Sequence, residues 1–135
     1  MTSKIIYKGD LRTEMTHLQS GTIVETDAPI DNNGKGKRFS PTDLVATALG
    51  SCMLTIMGIA GNTHNINIEE TEAEITKIMT SAPRKIGEII IKFFIKGQDS
   101  FSDKEKSILE NAAMTCPVYL TLHEDVKKTV EFVWS

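Results

Sequence analysis

Two thiols and three guanidinium groups are the side chains of this chain best suited to covalent or redox chemistry. Cys52 and Cys116 are its only cysteines, and Arg12, Arg38 and Arg84 its only arginines. A thiolate is a strong nucleophile, whereas a neutral buried thiol is inert, so chemistry at either sulfur calls for a positive neighbour. Cys52 falls in a long apolar run, and the simplest reading of it there is a small buried hydrophobe. Cys116 directly precedes Pro117, where a helix can restart, so nearby amide dipoles favour its thiolate. It reads equally as a residue chosen for size at a helix junction. If the two helices cross at these positions, one sulfur attacks and the other resolves. Spacing alone leaves each of these readings open.

Other residue types narrow the field. His17, His64 and His123 have no metal-ligand spacing, and no phosphate-binding loop, dinucleotide fingerprint or nucleophile elbow occurs. Neither a metal nor a cofactor is expected. Fifteen basic residues stand against eighteen acidic ones, a formal charge of −3 with no basic patch, so nucleic acid is not an expected partner. Two distant cysteines make no disulfide framework. Met1–Asp10 contains Lys4, Lys8 and Asp10 rather than an apolar leader, so a cytoplasmic location is expected.

With 135 residues, 40% hydrophobic and 24% charged, the chain is expected to form one globular domain over residues 1–135. Lys4–Tyr7, Leu11–Met15 and Thr22–Thr26 read as short strands separated by turn residues. Asp27–Lys37 reads as an exposed polar connection. Ser40-Pro41-Thr42-Asp43 opens a long helix with a cap, a first-position proline and an acid in the first turn. That helix is expected to end near Gly61-Asn62. Its uncharged stretch, Leu44–Ile68, reaches transmembrane length, but its strongly apolar part, Leu44–Ala60, is at the lower limit for spanning. It is read as a core helix, with no membrane as partner.

Along that helix Thr47, Ser51 and Thr55 form a polar stripe, their hydroxyls expected to bond back one turn. Ala46, Ala48 and Gly50 leave room for a second backbone. Asn67–Met79 and Gly87–Lys96 read as strands joined at Ser81–Arg84. Ser102-Asp103-Lys104-Glu105 is a capping box before a helix carrying Ile108, Leu109, Ala112 and Ala113. Cys116-Pro117 interrupts it. Val118–Leu122 resumes as a short helix, and Thr129–Trp134 closes as a strand. This order predicts an α+β fold with two helices on one face of a largely antiparallel sheet.

The segment Phe39-Ser-Pro-Thr-Asp-Leu-Val-Ala-Thr-Ala-Leu-Gly-Ser-Cys52, with Ala113-Met-Thr-Cys-Pro-Val-Tyr-Leu-Thr-Leu122, resembles the OsmC/Ohr superfamily, especially its OsmC-like branch. The resemblance covers nearly the whole chain. It implies an intertwined homodimer with two central helices packed on the sheets, each half-sheet completed by the partner. It also implies thiol peroxidase chemistry on organic hydroperoxides. By this resemblance Cys52 matches the attacking cysteine, Cys116 the resolving one, and Arg12 the arginine that stabilises the thiolate. Arg38 is a second candidate for that role. The family's peroxidases carry a glutamate ten residues before the first cysteine; here that place is Thr42, with Asp43 beside it. That substitution weakens the peroxidase expectation. It keeps open a small-molecule-binding or redox-sensing protein on the same scaffold. The peroxidase reading needs a small hydroperoxide as substrate and an external dithiol as reductant, with Met53, Met57 and Phe39 as a candidate apolar pocket.

Overall fold

A computed structural model describes residues Met1–Ser135 as two compact units, Met1–Val45 and Ala46–Ser135. In the first, β1 (Ser3–Gly9), β2 (Arg12–His17) and β3 (Ile23–Asp27) make an antiparallel sheet in chain order. The turn between β1 and β2 holds three successive residues at positive φ, Gly9 at 85°, Asp10 at 53° and Leu11 at 61°. Glycine and aspartate tolerate that region better than most residues, which is why the Gly9-Asp10 turn signal is local and strong. In the β2–β3 pairing Thr16 faces Ile23 and, at the other end, Arg12 faces Asp27.

The polar connection after β3 is a folded loop. Gly34 N–H donates to Pro29 O at 2.9 Å and Gly36 N–H to Ala28 O at 3.2 Å around a short 3-10 turn at Ile30–Asn32. A Cβ on Gly34 would sit 1.7 Å from Ala28 O, so only glycine fits where the loop doubles back. Asp27, expected at the start of an exposed connection, is instead the last residue of β3 and fully buried. Cross-strand pairing overrides the local Asp-Pro-Asn-Gly composition there.

Helix α1 (Pro41–His64) begins with a reciprocal cap. Asp43 N–H donates to Ser40 Oγ at 3.1 Å, and Ser40 N–H donates to Asp43 Oδ2 at 2.9 Å. The helix runs past Gly61-Asn62 and stops at Asn65, whose φ of 57° supplies the left-handed residue that ends many helices. Gly61 has another use. Ile66 O lies 2.6 Å from where its Cβ would be, so the chain returns directly over it.

The second unit adds β4 (Glu72–Ser81), β5 (Arg84–Ile95), α2 (Asp103–Ala113), α3 (Pro117–Thr121) and β6 (Lys127–Trp134). Its sheet has the order β4-β5-β6, with β5 antiparallel to β4 and parallel to β6. On β5, Ile89, Ile91, Phe93 and Ile95 share one face by the two-residue period of a strand, and all four are fully buried. They join Ala46, Leu49, Met53 and Met57 of α1 and Leu109, Ala113 and Cys116 in one core. The architecture is α+β, as expected, with the strands divided between two three-stranded sheets rather than one. The parallel β5–β6 pair follows from the connection, because a strand–helix–strand crossover returns the chain in the same direction.

Helix α1 is long and apolar enough to span a bilayer by length and composition. Its buried face is nevertheless the centre of this core. Gly50 belongs to that face: a Cβ on it would meet Ile75 Cδ1 at 2.5 Å. Ala46 and Gly50, expected to admit a second backbone, therefore pack within their own unit. Only Ala48 of the three is exposed.

Candidate functional site: two thiols and a buried ion pair

Cys52 sits on α1 with its side chain half-buried against the core, and Cys116 lies fully buried in that core. The helices thus bring together two sulfurs that are remote along the chain. Both are free thiols and are not at disulfide distance. Cys116 is the cap of α3: its Sγ accepts the Tyr119 N–H at 3.2 Å. Pro117 makes this geometry natural, since proline suits the first helical position and holds the preceding residue extended. Burial pushes the Cys116 thiol above its ordinary value, and the adjoining Cys52 sulfur raises it further. The Tyr119 and Val118 N–H groups work in the opposite direction. Cys116 therefore holds its proton in the resting pair.

Along α1 the polar stripe behaves as expected at Thr55, whose hydroxyl donates to Ser51 O at 2.9 Å. Met53 and Met57 are fully buried core side chains and line no substrate pocket, a correction to the expectation from sequence. Phe39 is about half exposed, beside a groove of about 500 Å³ in the first unit with Ile23, Val24, Lys37 and Arg38. In the second unit a cavity of about 570 Å³ lies at the end of α1, lined by Leu54, Gly58, Asn62, Ile66 and Thr71. Neither cysteine lines it.

Arg12 is held in the first unit by a forked pair of hydrogen bonds. Its Nε donates to Asp27 Oδ1 at 2.7 Å and its Nη2 to Asp27 Oδ2 at 2.8 Å. Lys37 N–H adds a third donor to the carboxylate at 3.2 Å, and Glu25 lies 3.8 Å from Arg12 Nη1. The paired guanidinium holds the Asp27 carboxyl below the usual carboxylate range, against the effect of burial, and Asp27 in turn raises Arg12. Arg38 is exposed, with Nε 3.4 Å from Glu25 Oε1 and Nη1 donating to Lys37 O. Thr42 Oγ1 lies 3.2 Å from Ser40 Oγ, and Asp43 is engaged in the Ser40 cap.

The carboxylate on Arg12 is therefore Asp27, a residue the sequence reading placed in a loop. The signal that finds it is register. Once the β2–β3 turn pairs Thr16 with Ile23, antiparallel counting puts Asp27 opposite Arg12.

A family model described as OsmC-like protein matches residues 34–131, a span that includes both cysteines. A protein of Psychrobacter arcticus 273-4, assigned provisionally to osmotic stress induction and detoxification response, is 48% identical. Its crystal structure superposes with a TM-score of 0.92 over 98% of this chain and 95% of that one. The chain belongs to the OsmC-like family. More distant members keep the fold. An OsmC-like protein from Mycoplasma pneumoniae is 18% identical with a TM-score of 0.80, over 98% of this chain and 94% of that one. An organic hydroperoxide resistance protein OsmC from Legionella pneumophila is 15% identical with a TM-score of 0.73, over 98% and 97%. No curated protein matches the sequence. Arg12 and Asp27 precede the segment matched by the OsmC-like model.

Proposed function

We propose that this OsmC-like protein is a cytoplasmic, homodimeric, thiol-dependent peroxidase that reduces organic hydroperoxides. The observation that carries the reading is the Cys52–Cys116 pair, a half-buried thiol beside a buried, proton-holding one. The hydroperoxide resistance role of the Legionella relative agrees with it. In this reading the Cys52 thiolate attacks the distal oxygen of the hydroperoxide. The O–O bond breaks, the alkoxide leaves and takes a proton as the alcohol, and Cys52 becomes a sulfenic acid. The Cys116 sulfur then attacks the Cys52 sulfur, expelling water and closing a disulfide, which an external dithiol reopens. By the family resemblance Arg12, held by Asp27 in a forked ion pair, is the candidate cation for the thiolate in this reading. Asp27 takes the orienting part for which Thr42 has no charge.

The homodimer has its own support. Ile5, Ile6 and Tyr7 of β1 and Ile23 of β3 are each more than half exposed, as is Ile59 on the outer face of α1. Large apolar side chains exposed on each unit suit surfaces that a partner covers, and in this reading a second copy covers them.

Steady-state consumption of cumene hydroperoxide with dithiothreitol tests the reading. The wild type should turn over repeatedly, Cys52→Ser should fall to the uncatalysed background, and Arg12→Ala should lower turnover. A wild type that consumes no peroxide above background contradicts it and leaves a small-molecule-binding role.

A further inference from the structure

Asn33-Gly34 is the one place in this chain where an asparagine is followed by glycine. In an unfolded chain such a pair is chemically unstable, because glycine has no side chain to hinder its own nitrogen. That nitrogen attacks the asparagine side-chain carbonyl carbon and closes a five-membered imide. The N–Cγ bond forms, the Cγ–Nδ2 bond breaks, and ammonia leaves with the proton of the Gly34 amide. Water then opens the imide at either carbonyl, giving aspartate or isoaspartate, and no electrons are exchanged.

The folded loop opposes each requirement of that attack. Gly34 N–H donates to Pro29 O at 2.9 Å, so the proton that must leave is held. Asn33 lies in the left-handed region, with φ 63° and ψ 14°. At that ψ the Gly34 nitrogen and the Asn33 Cβ stand on nearly opposite sides of the Cα–C bond, whereas ring closure needs them on the same side. Rotation toward that geometry is resisted, because Gly34 is packed so tightly on Ala28 that a Cβ would fall 1.7 Å from Ala28 O. The far side of the loop is fastened by Gly36 N–H to Ala28 O and by Lys37 N–H to Asp27 Oδ2, each at 3.2 Å. Asn33 is itself exposed within this unit, so backbone geometry rather than burial restrains it.

We propose that Asn33-Gly34 is a latent modification site, held unreactive by the closed loop and converted to isoaspartate only when the loop opens. The proposal does not depend on the thiol chemistry. Opening of the loop also withdraws the Lys37 N–H from Asp27, so deamidation at Asn33 records the loss of a donor from the Arg12–Asp27 pair. The change is lasting. Isoaspartate routes the main chain through Cβ and adds one atom to a turn already tight against Ala28.

Wild-type protein is incubated in mildly alkaline buffer, folded and, in parallel, unfolded in guanidinium chloride. Deamidation of the tryptic peptide Thr13–Lys35 is followed by mass and assigned to Asn33 by fragmentation. The folded protein should deamidate at least about tenfold more slowly, since only its open loop reacts. Gly36→Ala puts a Cβ 2.7 Å from Ile30 Cγ1 at a φ of 63°, so it should loosen the loop and raise the folded rate several-fold. Lys37→Pro, which removes the donor to Asp27, should act in the same direction and serves if Gly36→Ala fails to fold. Equal rates in folded and unfolded wild type overturn the proposal. So do variants that keep the wild-type circular dichroism yet deamidate no faster than wild type, because protection would then come from outside the loop.

Discussion

In Met1–Val45 the buried functional group is a charge, whereas in Ala46–Ser135 it is sulfur. The Asp27 carboxylate has no exposed surface and survives as an anion because Arg12 and the Lys37 N–H supply three donors. Cys116 is equally buried among Leu109, Ala113 and the β5 side chains, and burial keeps it neutral. The same desolvation acts on both groups. A forked ion pair overcomes it at Asp27, while the Tyr119 and Val118 N–H groups do not at Cys116. A charge must be built with its partner in place, but a thiol can wait uncharged in an apolar core until chemistry ionises it.

The contrast is broken most severely at the sulfur. Cys52→Ser should lose all turnover with hydroperoxide and form no intramolecular disulfide, with little change in thermal stability. A variant that still consumed peroxide would move the chemistry elsewhere. The apolar surroundings come next. Leu49→Ala deletes a fully buried α1 side chain from the core around Cys116 and should cost about 2–5 kcal/mol in denaturant unfolding.

Acid separates the two units. Asp27 has its carboxyl pKa depressed in the folded state, so the ion pair contributes fully above the unfolded value of about 3.9. That contribution is lost as pH falls through the folded value. Wild-type protein should therefore lose stability below about pH 4 in a circular-dichroism titration. Asp27→Asn should be less stable at neutral pH and show a flatter acid profile. An identical acid profile would contradict the account of the pair.

Two glycines of α1 sharpen the packing side. Gly61→Ala drives a Cβ toward backbone, Ile66 O, and should cost about 1–3 kcal/mol. Gly50→Ala meets only the movable end of Ile75, and the gain in helix propensity offsets part of the strain, so a change within about 1 kcal/mol is expected. The smallest effect lies far from either sulfur. Ser102 accepts the Glu105 N–H at the start of α2, and Ser102→Ala should lower unfolding free energy by about 1 kcal/mol.

Legibility in the sequence follows the range of the interactions. The Ser40 and Ser102 caps are set by residues three apart, and both appear in the structure as read. The β5 run of isoleucine and phenylalanine announces a central strand, and β5 is central. The Cys52 and Cys116 segments carry the family resemblance, which residues 34–131 sustain. What local pattern hides is pairing at a distance. Asp27 looks like loop because its neighbours are turn formers, and only the β2–β3 register reveals its guanidinium partner. The parallel β5–β6 edge depends on a return through α2 and α3 that no strand's own sequence encodes. Met53 and Met57 show the same limit: apolar residues near a cysteine read as a pocket until packing shows them filled in.

The most direct test mixes reduced protein with one equivalent of cumene hydroperoxide and follows free thiols and peptide masses over seconds. The account predicts that both thiols disappear together and that a single linkage, Cys52 to Cys116, accounts for them. Two thiols still titratable after excess peroxide would contradict it.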